Sequence, residues 1–124
     1  MWAELLDLVF PPRCVACGAR GAWLCAACQR KIERQAGTRC ERCDRLATQS
    51  PCSACAWMHP ALTGIRIVGD YEPPLKDAIW ALKFKGRRQV ARPLGEMLAA
   101  TWHERGGAPV AAVVVVPPAS DRQR

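Results

Sequence analysis

Apolar and polar positions divide the chain into three stretches. Trp2, Leu5, Leu6, Val9 and Phe10 recur at helical spacing, which predicts an amphipathic helix over 1–10, stopped by Pro11-Pro12. It is far shorter than the roughly 20 apolar residues a membrane span needs, so it is expected to lay an apolar face on the protein. The middle stretch offers almost no core. Its one helical signal begins at Cys25 and runs through Ile32 toward Gly37, with Trp23 just before it as a plug over whatever the cysteines hold. Past residue 60 the periodic pattern returns. Ile65 and Ile67 flank Arg66, predicting a short alternating strand within 63–71. Glu72-Pro73-Pro74 is a turn with proline poised to open a helix whose stripe is Leu75, Ala78, Ile79 and Leu82, ending at Gly86. A further helix is expected from Pro93, with Leu94, Met97, Leu98, Thr101 and Trp102 on one face and Gly106-Gly107 as its stop. Val110 to Val116 is an unbroken apolar run that predicts a strand buried on both faces, closed by Pro117-Pro118.

Chemistry enters with the cysteines, all eight of which lie between residues 14 and 55 as Cys-x-x-Cys pairs. The spacing groups Cys14, Cys17, Cys25 and Cys28 as one tetrad and Cys40, Cys43, Cys52 and Cys55 as a second. Two pairs complete a tetrahedron of thiolates, the ligand set of a closed structural zinc site, so two Zn2+ ions are expected. A cross-braced pairing remains open. So does iron, which four thiolates hold in the same geometry. Disulfides are disfavoured because the opening residues carry Glu4 and Asp7 and show no export signal. A thioredoxin-like site would use one such motif rather than four. Gly18 after Cys17, and Asp44 after Cys43, suit the positive φ of a turn that aims N–H groups at sulfur. His59 is read as a surface residue, since both tetrads are full.

Charge changes the picture only after this assignment. The formal +7 counts the thiols as neutral. Eight thiolates and two divalent ions bring it to +3, which weakens a bare polyanion-binding reading. Arg13, Arg20, Arg39, Arg42 and Arg45 lie near the cysteines in sequence, either neutralising the tetrathiolate centres or forming a phosphate-binding surface. Lys83, Lys85, Arg87 and Arg88 surround the end of the first predicted helix after residue 60, where cations oppose the helix dipole, and His103 near the end of the next helix is read as a capping charge.

The opening Leu5-Leu6-Asp7-Leu8-Val9-Phe10-Pro11-Pro12-Arg13-Cys14, the paired cysteines, Tyr71 before a helix bearing Leu82-Lys83-Phe84-Lys85-Gly86, and the valine run ending in proline together resemble the ComF family. That resemblance implies a double zinc ribbon fused to a type I phosphoribosyltransferase domain, in bacterial proteins associated with competence for DNA uptake. The expected layout is an N-terminal helix over 1–12, a double zinc ribbon over 13–59, and over 60–124 the first, incomplete part of a phosphoribosyltransferase-like α/β domain. One valine strand cannot bury itself, so the chain reads as stopping in mid-domain. The resemblance also implies a phosphoribosyl pyrophosphate loop of two acids followed by a threonine- and glycine-rich turn. The 124 residues contain no such loop. No catalytic or cofactor-binding residue can therefore be named, whether the chain is an enzyme stays open, and catalytic incompetence by itself is expected. Arg122 and Arg124 are the residues closest to where a pyrophosphate site would begin. Expected partners are DNA or a protein of the competence machinery, with association through the unpaired valine strand and no membrane span. The expected location is the cytoplasm, on reduced cysteines and the lack of a visible export signal. The rival readings are a free-standing zinc-ribbon module that binds nucleic acid or a protein, and a rubredoxin-like electron carrier, which would need iron.

Overall fold

The computed structural model describes residues 11–32, 37–104 and 106–116. The helix expected over 1–10, the closing prolines at 117–118, and Arg122 and Arg124 lie outside them.

The cysteine region is built twice from one pattern. In the first copy the Cys14 N–H donates to the Ala19 carbonyl, the Gly18 N–H returns to the Cys14 carbonyl, and Arg13 bridges to Arg20. In the second the Cys40 N–H donates to the Arg45 carbonyl, the Asp44 N–H to Cys40, and Arg39 bridges to Leu46. Each copy is a tight knuckle whose turning residue has positive φ, 77° at Gly18 and 61° at Asp44. The second cysteine pair of each copy opens a helical turn: α1 (Ala26–Lys31) after Cys25, and a 3-10 turn, Ser53–Trp57, after Cys52. Helix α1 ends at Lys31, six residues before Gly37.

The remaining elements are α2 (Leu75–Phe84), a 3-10 turn Arg88–Val90, and α3 (Ala91–Glu104). Pro74 caps α2 instead of occupying its first turn. Gly86 (φ 63°) turns the chain so that the Arg87 N–H returns to the Ala81 carbonyl. Leu75, Ala78 and Ala81 form the buried face of α2, with Ile79 and Leu82 half-buried beside them. Helix α3 starts two residues before the expected Pro93. Its inner face is Leu94, Met97 and Thr101, whereas Leu98 and Trp102 are exposed. The Arg88–Val90 turn packs on both helices. Helix α3 stops where expected, because a Cβ at Gly107 would overlap the Trp102 indole.

The described residues contain two cores. One joins the first knuckle to the helices: Cys14, Leu24, Cys28, Ala78 and Val90 are buried together, with Val15, Trp23, Ile32, Leu94 and Met97 packed around them. The other is confined to Cys40, Cys43 and Cys55, with Ala47 and Met58.

Two expectations for the chain beyond residue 60 require correction. Neither predicted strand forms, so the described part of 60–124 is helical and extended rather than α/β. Residues 62–67 run extended against the second knuckle and make single bonds to it instead of a ladder. The Ile65 N–H donates to the Arg42 carbonyl and the Ile67 N–H to the Asp44 carboxylate. The valine run is exposed, Val113 at 83% and Val116 at 94%. A strand is stabilised by partners on its edges and faces, and the described residues supply none to this segment. Among the described residues no helix is long and apolar enough to cross a membrane.

Candidate metal centres

The four sulfurs of Cys14, Cys17, Cys25 and Cys28 all lie within 4.8 Å of one another, and so do those of Cys40, Cys43, Cys52 and Cys55. The pairs therefore combine in sequence order, and the cross-braced alternative is not adopted. Individual separations are 3.6 Å for Cys17–Cys25 and for Cys40–Cys55, 3.5 Å for Cys43–Cys52, and 3.7 Å for Cys52–Cys55. A disulfide would bring sulfurs to about 2.05 Å, and all eight cysteines are free. Four thiolates around an ion with Zn–S bonds of about 2.3 Å lie about 3.8 Å apart along the tetrahedron edges. Both sites are therefore compatible with zinc.

Backbone geometry prepares the first sulfur of each set. The Cys25 N–H donates to Cys14 Sγ and the Cys52 N–H to Cys40 Sγ, each at 3.4 Å. Burial alone would raise the Cys14 pKa. Donation from the N–H groups of Cys25, Cys17 and Ala16 outweighs it and lowers this thiol to about 6. At Cys40 the N–H of Cys43 leads, with those of Cys52 and Arg42, and against burial they lower it to about 5. The last cysteine of each set goes the other way. Burial and then the neighbouring sulfurs push Cys28 and Cys55 up to about 12. Four sulfurs this close cannot all ionise without a cation among them. Such a site takes up a divalent ion and releases protons.

The two centres differ in setting. Cys17 is exposed and Cys25 half-buried at the first, while at the second only Cys52 is not fully buried. The arginines near the cysteines also divide. Arg39 donates to the Asp44 carbonyl at 2.7 Å, and Arg42 reaches the Leu62 carbonyl at 3.4 Å, so both brace loops. Arg13, Arg20 and Arg45 are exposed. His59 is exposed too, accepting the Ala61 N–H on Nδ1 at 3.2 Å, away from both tetrads.

Sequence reasoning assigned Asp44 only a turn and missed its carboxylate. That side chain is 1% exposed and takes the Ile67 N–H at 2.9 Å, which docks the 62–67 segment on the second knuckle. The available signal was an acid where the first knuckle has glycine. Also missed was the meeting of Arg87 with Trp23, the guanidinium carbon lying 5.7 Å from the ring centroid. No periodicity joins residues 64 positions apart.

Eight converging thiols on twin knuckles define a zinc-ribbon protein, and residues 5–56 match the family model of the double zinc ribbon domain. Over 97 residues the chain is 36% identical to DNA utilization protein YhgH of Escherichia coli (strain K12) and to the protein of that name in Shigella flexneri, covering 73% of this chain and 42% of theirs. The Salmonella typhimurium protein of the same name is 32% identical over the same extent. The chain thus spans less than half the length of these curated relatives. No solved structure matches it.

Proposed function

We propose that this chain is the zinc-organised first part of a ComF-like protein that handles DNA, and that the eight cysteines named above are its zinc ligands. The carrying observation is the convergence of eight sulfurs into two four-sulfur sites within the stretch that matches a double zinc ribbon. The name of the relatives, DNA utilization protein, supports the DNA context. The zinc ions are structural: each site offers four protein sulfurs and no open ligand position. Chain composition supports assigning any ribosyl transfer to residues outside these 124, because the acidic, threonine- and glycine-rich loop is absent from them. The core shared by Cys14, Cys28, Ala78 and Val90 favours a ribbon integrated with the helices over a free-standing module.

The test combines metal analysis with DNA binding. The purified chain should contain two zinc ions, be colourless, transfer no ribosyl group to any nucleobase, and bind DNA with an affinity that falls steeply with salt. Bound iron would support the electron carrier instead. Zinc-loaded protein without affinity for DNA at low salt would overturn the DNA-handling reading.

A further inference from the structure

Between the first knuckle and the C-terminal end of α2 lies a cavity of about 310 Å³, lined by Arg13, Val15, Trp23, Ala81, Lys85 and Arg87, with Cys14 and Gly18 also in its wall. We infer that this cleft holds one nucleotide of single-stranded DNA, with Arg13 and Lys85 on the phosphate and the Trp23–Arg87 pair as the surface on which the base stacks. The inference rests on the DNA-handling reading above and adds its location and the form of DNA.

Three features of the cleft carry it. Its wall contains three cationic side chains and no carboxylate. Among the described residues neither Arg13, Lys85 nor Arg87 is ion-paired with an acid, whereas Arg92 pairs with Glu96 at 3.0 Å. Neutralising the adjacent metal centre does not use all of this charge: a zinc tetrathiolate carries −2 against three cations, leaving one positive charge for a phosphate. The second feature is the flat surface. Trp23 is half-buried and fixed by the shared core, and Arg87 lies over its ring at 5.7 Å. Indole and guanidinium planes both stack nucleobases, without regard to base identity. The third is shape. A cavity near the small end of the roughly 300–1,000 Å³ range of ligand pockets suits a single nucleotide. Its concavity admits a base only when that base is unstacked, which favours a single strand over a duplex.

The binding test uses the zinc-loaded chain and a labelled oligothymidine, followed by fluorescence anisotropy across a salt series. The double variant Arg13→Glu/Lys85→Glu alters two exposed side chains outside the hydrophobic core, so it should keep both zinc ions and its helix content. It should bind about tenfold or more weakly, with the salt slope reduced by about 1.4 for two lost phosphate contacts at about 0.7 each. Arg45→Glu, on the second knuckle, should bind as the unaltered chain does, and a duplex of equal length should bind more weakly than the single strand. If the double variant loses zinc, Arg87→Ala takes its place, with a weakening of about three- to tenfold expected. Full affinity in the charge variant together with loss in Arg45→Glu would overturn the cleft while leaving the DNA-handling reading intact. Equal affinity for duplex would overturn the base-stacking role. No binding of any DNA by the unaltered chain would overturn both this inference and the reading beneath it.

Discussion

Replacing Val90 by alanine tests whether the first metal centre and the helices are one cooperative unit. Val90 is 0% exposed and lies in the core that contains Cys14, Leu24, Cys28 and Ala78. Removing two methyl groups costs about 1.6 kcal/mol in transfer free energy at about 0.8 kcal/mol per carbon. The residual cavity raises this to about 2 kcal/mol. If the core forms only around the loaded site, all of that loss is charged to metal binding at the first centre. At about 1.4 kcal/mol per factor of ten, the ceiling is then about 30-fold in affinity, and half coupling gives about fivefold. The second centre, whose core contains neither helix, should not respond. Competition with a graded chelator, read by cadmium NMR so that each centre reports separately, should show the first centre releasing metal earlier in Val90→Ala and the second unmoved. Equal shifts at both centres would refute the assignment of separate cores. No shift at either, with the variant still losing stability, would refute the coupling of helices to metal.

Asp44→Ala should lose both its charged acceptor for the Ile67 N–H and its tolerance of φ 61°, costing about 3 kcal/mol or more. Asp44→Asn, which retains both features in weaker form, should cost about 1 kcal/mol; amide exchange at Ile67 and denaturant titration separate the two. Gly18→Ala meets nothing within 4 Å, so only its backbone at φ 77° opposes the change, and a loss of about 1–2 kcal/mol in thermal unfolding is expected. Metal affinity should rise with pH, by about tenfold per unit between pH 7 and 9 at the least. Loading must displace the Cys28 and Cys55 protons, whose pKa values stand near 12, and acid should strip both sites. In the metal-free protein the sign differs by residue. The lowered Cys14 thiol contributes stability that is complete above about pH 9 and lost as pH falls through 6. The raised Cys28 thiol contributes stability that is complete below about pH 9 and lost as pH climbs through 12.

The metal centres were legible in the chain because their information is local. Cys-x-x-Cys fixes two sulfurs on one turn, and a residue tolerant of positive φ directly after the pair closes it, as Gly18 and Asp44 both do. The grouping into sequential tetrads needed only the shorter spacers inside each group. The function of Asp44 as an acceptor was not legible, because its partner Ile67 is 23 residues away and donates a backbone N–H that every residue type but proline has. The cleft escaped for the same reason. Arg87 reads as a cation beside a helix end, and its second role depends on how the first knuckle turns Trp23 toward it.

The misread strands carry a different lesson. Helical stripes such as Leu75, Ala78 and Ala81 describe a face that one neighbour can cover, and here the first knuckle and the Arg88–Val90 turn supply that neighbour. A β-branched run states a preference that is realised only when backbone partners stand on its edges, since the strand makes none of its hydrogen bonds internally. Val110 to Val116 satisfies every compositional criterion for a buried strand, yet it lies in water because no described residue offers it an edge. Ile65 and Ile67 make the intermediate case: the second knuckle supplies one carbonyl and one carboxylate, enough to hold the segment extended but too few to build a ladder. Burial of the valine run therefore depends on a partner that presents a complete strand edge. Adding such an edge in trans should protect the amides of 110–116 from exchange while leaving those of both knuckles unchanged. Protection of the knuckles as well would mean that the run docks on the ribbons instead of pairing through its own backbone.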